Sequence, residues 1–140
     1  MIKHFPQRLL LGAAGGLLVF IGVSIFADPQ GFAASNGIHV DMGPSLRSEL
    51  RAPSGSLITS GLFMLISVAR LVWLKQALVL AGAIYASYGV SRTIGVIADG
   101  LPSASLTQAM SVELILGALC LTVAYRFGRF GRLTPIEGRA

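Results

Sequence analysis

The sequence predicts an all-α fold: an integral membrane four-helix bundle with both its N and C termini cytoplasmic. Three observations predict it. Hydrophobic residues make up 54% of the 140 and charged residues only 12%, against roughly 25% charged in a soluble domain. Four apolar stretches have about the length a bilayer demands. The lysines and arginines fall between those stretches in an uneven pattern. Such a composition excludes a disordered chain, a disulfide scaffold and an ordinary water-soluble enzyme. The length predicts a single membrane domain over residues 1–140.

A hydrocarbon core of about 30 Å is crossed by roughly 20 helical residues rising about 1.5 Å each. Leu9 to Ala27 is 19 residues without a charge, and Ala52 to Ala69 is 18. Gln76 to Ala98 is 23 residues holding only Arg92, and Gln108 to Tyr125 is 18 holding only Glu113. None alternates with period two, so helices are predicted rather than barrel strands. Expected helices cover about 9–27, 54–72, 76–97 and 108–126, with outer loops over 28–53 and 98–107.

The first stretch follows Lys3 and Arg8 and ends on the small Ala27, as a signal peptide would. Its apolar run exceeds the usual signal core of roughly 7–15 residues, so a retained helix is expected. Between the second and third stretches there is no Gly or Pro. One helix from Ala52 to Ala98 would be 47 residues, or about 70 Å. The chain must therefore turn near Arg70 to Lys75, with Trp73 at the interface. Asn36-Gly37 and Gly43-Pro44 predict turns in the long outer loop. Ser45 to Arg51 reads as a short helix on the membrane surface, and the loop's length suits a lid or plug. Asp99-Gly100-Leu101-Pro102 is a compact turn. Ser105 with Gln108 has capping-box spacing.

Charge sets the orientation. One side collects Lys3, Arg8, Arg70, Lys75, Arg126, Arg129, Arg132 and Arg139 against Glu137, a net +7. The other holds Arg47, Arg51 and Arg92 against Asp28, Asp41, Glu49, Asp99 and Glu113, a net −2. The basic side is cytoplasmic by this rule. Because the cations punctuate apolar runs rather than share a soluble face, the charge of +5 does not predict nucleic acid binding. The Arg126, Phe127, Arg129, Phe130 and Arg132 stretch suits either anionic headgroups or a plain stop-transfer tail.

Each span carries small or polar residues on one face: Gly12, Gly15, Gly16 and Val19; Ser56, Ser60 and Ser67; Gly82, Tyr85, Tyr88, Gly89 and Arg92; Glu113, Gly117, Cys120 and Ala124. Small residues let helices approach, and Gly12 with Gly16 fits the small-xxx-small motif, while polar residues bond across helices. Arg92 and Glu113 are expected at similar depth on the outer side. A charge there is costly unless paired, so a cluster of Glu49, Arg51, Arg92, Asp99 and Glu113 is predicted, with Tyr85 and Tyr88 beneath it.

Ser48-Glu49-Leu50-Arg51-Ala52, Gly89-Val90-Ser91-Arg92, Asp99-Gly100-Leu101-Pro102 and Glu113 occur in that order between the spans. In this the chain resembles a family of small bacterial membrane proteins, domain-of-unknown-function family 4345, from the first helix to about Arg126. The family's usual aromatic and paired glycines after the Arg-Ala are replaced here by Pro53-Ser54-Gly55, a departure at the start of the second span. The resemblance implies the fold and the polar cluster, and carries no activity.

No nucleophile–base pair is evident, and His4, His39 and Cys120 have no metal-ligand spacing. No catalytic residue, metal or cofactor is expected. Two functions remain. One is an accessory or structural subunit of the bacterial inner membrane, packing on other membrane proteins or on its own copies, with the ion cluster as an internal lock. The other is a binder of a small amphiphile, a quinone or lipid, at Tyr85, Tyr88, Arg92 and Glu113. Membrane lipids are partners in both.

Overall fold

The computed structural model describes residues 4–130, with side chains as far as Phe127. Five helices follow in order: α1 (Phe5–Ala27), α2 (Pro29–Ser35), α3 (Pro44–Ala69), α4 (Leu71–Asp99) and α5 (Ala104–Phe130). No strand occurs among the described residues. All but α2 are long and apolar enough to cross a membrane, with window hydropathies from 1.3 to 2.4. Phe20, Ile66, Ile94 and Ile115, on four different helices, all face outward. An apolar surface of that extent is stable against lipid rather than water.

Two tight hairpins build the bundle: α1 lies along α3, and α4 along α5. Leu11, Ala14, Leu18, Leu57, Met64, Leu78 and Tyr85 meet between them. The break between the second and third spans is narrower than expected. Arg70 alone is extended, at φ −115° and ψ 96°, and residues 71–75 are already helical. The stretch holds no helix breaker, so only the residue that must turn leaves the helix.

The α1–α3 seam differs from the glycine and serine stripes read from the sequence. A Cβ on Gly16 would meet nothing within 4 Å, whereas one on Gly15 would lie 2.9 Å from the Gly61 carbonyl oxygen, and one on Gly22 2.9 Å from that of Ser54. The close approach uses Gly15, Gly22 and Gly61 and not the Gly12–Gly16 pair. Ser56 is exposed, while Ser54 and Ser67 are buried. Their hydroxyls donate within their own helix, Ser54 to the Arg51 carbonyl at 2.6 Å and Ser67 to that of Phe63 at 2.7 Å. A serine within reach of an i−3 or i−4 carbonyl needs no partner across the interface.

The outer loop is also more helical than 28–53 suggested. Asp28 accepts from the Gly31 amide at 2.9 Å and caps α2, whose first residue is Pro29. Proline suits the first turn because its missing N–H would be unpaired there anyway. Pro44 opens α3 in the same way, so residues 44–53 form the first part of one long helix rather than a separate surface helix. Pro53 stays within it. Ser105 lies inside α5, which begins at Ala104, so the expected Ser105–Gln108 capping box does not form. Ser103, just before the helix, donates instead to the Asn36 carbonyl at 2.7 Å and ties the two outer connections together. Arg132 lies outside the described residues, as do the side chains of Arg129 and Phe130.

A candidate ligand site between two hairpins

The glycines of α4 position the charged pair. A Cβ at Gly89 would fall 2.8 Å from Leu114, one at Gly82 2.6 Å from Leu121, and one at Gly117 2.7 Å from the Ala86 nitrogen. With no side chains in the way, α4 and α5 pack backbone to backbone. That contact sets Arg92, one turn beyond Gly89, beside Glu113, next to Leu114. The Arg92 Nε donates to both carboxylate oxygens, at 2.9 and 3.2 Å. By helix rise, the pair lies about 10 Å in from the end of α4 and about 13 Å in from the start of α5. The second figure exceeds what a helix starting at position 108 would give, because α5 starts four residues earlier.

The pair is not sealed. The Arg92 side chain keeps 33% of its surface and that of Glu113 keeps 13%. Both face a partly enclosed cleft of about 260 Å³ between α1 and α5. The α1 wall is wholly apolar: Leu17, Leu18, Ile21 and Ile25. The facing wall carries Tyr85, Tyr88, Arg92 and Glu113 among Leu106, Ala109 and Val112, with Leu57 contributed by α3. Phe32 of α2 and Asn36 just beyond it complete the lining from the outer loop. Tyr85 is buried and donates to the Ala14 carbonyl at 2.7 Å, a bond from one hairpin to the other. Tyr88 is 38% exposed, and its hydroxyl has no hydrogen bond among the described residues.

The predicted five-residue cluster is reduced to two. Among the described residues Arg92–Glu113 is the ion pair formed. Arg51 is exposed and its Nε donates to the Phe26 carbonyl at 3.0 Å. Carbonyls in the last turn of a helix lack intrahelical partners, and the end of α1 draws this arginine away. Glu49 and Asp99 are exposed, where water solvates a carboxylate without a partner. The sequence reading also missed Arg47, which ties Gln30 (2.6 Å) and the Met42 carbonyl (2.9 Å) together in the outer loop. It missed the contribution of Phe32 and Asn36, too. The Asp28-Pro29 start signal, which marks α2, would have pointed to both. His4 packs on Phe127, while His39 is exposed in the outer loop. Cys120 is buried in the core.

The family model described as Domain of unknown function (DUF4345) matches residues 6–124. The chain belongs to this family. The DUF4345 match takes in the four long helices but for Phe5 and the last six residues of α5, and every residue of the cleft. No curated protein matches the chain, and no solved structure does.

Proposed function

We propose that this DUF4345 protein binds a small amphiphile in the cleft between α1 and α5. The polar part of the ligand meets Arg92, Glu113 and Tyr88, and its apolar part lies against Leu17, Leu18, Ile21 and Ile25. One observation carries the reading: a partly exposed ion pair faces an apolar space of about 260 Å³. Small-molecule sites are apolar clefts with a few placed polar groups, and an intramembrane charge pair is by default a functional candidate. An accessory subunit, with the pair as a lock between α4 and α5, accounts for the close packing of those helices. It does not account for the space beside the pair or the free Tyr88 hydroxyl. The excess of Lys and Arg on one side supports cytoplasmic termini.

The test is to purify the protein from its native membrane in mild detergent and weigh the small molecules that leave with it. An Ala109→Leu variant, which pushes three carbons into the cleft, is run in parallel. The reading expects a defined species at near-stoichiometric amount in the wild type and its depletion in the variant. An empty wild type, or equal retention by both, overturns it.

A further inference from the structure

Resting on that reading, we propose that the occupant is uncharged: an amphiphile whose head accepts hydrogen bonds through a carbonyl, and not an acidic lipid. Charge comes first. Among the described residues Arg92 is the one cation and Glu113 the one anion in the lining, and they already neutralise each other. An anionic head would compete with Glu113 for one guanidinium, and a cationic head would face Arg92. Either leaves an uncompensated charge against an apolar wall, which is strongly unfavourable.

Hydrogen-bonding capacity agrees. Both Glu113 oxygens accept from Arg92 Nε. A guanidinium has five N–H groups, so the four on its terminal nitrogens remain, and none makes a hydrogen bond among the described residues. The Tyr88 hydroxyl is a further free donor in the same wall. A neutral acceptor takes these donors without displacing the carboxylate. Size agrees too. A cavity of about 150 Å³ holds benzene, so the cleft, at about 260 Å³, takes a substituted ring or a short length of chain.

The experiment uses the full chain in a neutral maltoside detergent, with three probes of matched tail: a decyl-substituted 1,4-benzoquinone, decanoate at pH 8 and decyltrimethylammonium. Affinity is read by calorimetric titration. In the wild type the quinone binds at least about tenfold more tightly than either ion. Glu113→Gln frees the arginine charge and reverses the order, with decanoate gaining by more than the wild-type gap. Tyr88→Phe weakens the quinone several-fold and leaves decanoate unchanged. Decanoate binding the wild type as well as the quinone does overturns the uncharged occupant and leaves the amphiphile site standing. An unchanged ranking in Glu113→Gln overturns the argument from charge balance. Binding of none of the three overturns the site itself. If Glu113→Gln does not fold, the wild-type ranking and Tyr88→Phe decide.

Discussion

Gly61→Ala isolates the seam between α1 and α3. The added methyl would lie 2.7 Å from the Gly15 carbonyl oxygen, 2.7 Å from Val19 Cγ2 and 2.9 Å from the Val19 nitrogen. Two of these three are backbone atoms, which cannot rotate aside, so the helices must separate by several tenths of an ångström. Overpacking of this kind costs about 1–3 kcal/mol, and rigid neighbours place it near about 3. Alanine returns about 1 kcal/mol through helix propensity, leaving a net loss of about 2 kcal/mol. The control is Gly16→Ala, where the methyl meets nothing within 4 Å. There the propensity gain stands alone, and the variant should be unchanged or more stable by up to about 1 kcal/mol. The two single-methyl additions should thus differ by about 3 kcal/mol, roughly a hundredfold in the unfolding equilibrium. Reversible unfolding in mixed detergent and SDS micelles, followed by circular dichroism, reads both. A Gly61→Ala as stable as wild type, or a Gly16→Ala that costs more than it, would refute the assignment of the seam.

Other variants probe the remaining contacts. Tyr85→Phe removes the bond to the Ala14 carbonyl, which also has a place in its own helix, and should cost about 1 kcal/mol in the same assay. Asp28→Ala removes the α2 cap and should cost about 0.5–2 kcal/mol, seen as faster amide exchange over residues 29–35 with the spans unaffected. Cys120, fully buried, should resist a membrane-permeant maleimide until SDS unfolds the protein; rapid labelling of the folded protein would contradict the core as described. In a Cys120→Ser background, Ser35→Cys should react with a charged maleimide applied to intact cells, and Ala69→Cys only after permeabilisation; the reverse pattern would invert the proposed orientation.

The spans and the meeting of Arg92 with Glu113 were legible because each rests on one strong constraint. Lipid forbids unpaired backbone over some 20 residues, and it penalises an unpaired charge. The helix starts at Pro29 and Pro44 were hidden by attention to hydropathy, since capping is written in one or two residues rather than a long run. Glu49 and Asp99 were misjudged for a related reason. Sequence gives depth along a helix more readily than direction around it, and a carboxylate at the right depth but the wrong angle meets water. The seam glycines failed likewise: Gly12 and Gly16 fit the motif, but Gly15 is the residue whose missing side chain α3 occupies. The cleft itself was beyond reach, because a void records how two hairpins fail to close, and no single residue encodes that.

The Ser103–Asn36 hydrogen bond joins the two hairpins at one end of the bundle, while Arg70 joins them covalently at the other. The molecule is thus arranged like a book, with its spine at Arg70 and a clasp across the opposite edge. A single neutral hydrogen bond contributes about 1 kcal/mol, less than twice thermal energy. Thermal motion will undo such a clasp often, and the rim at that edge can then part while the Tyr85–Ala14 bond and the core between the hairpins hold the pages together.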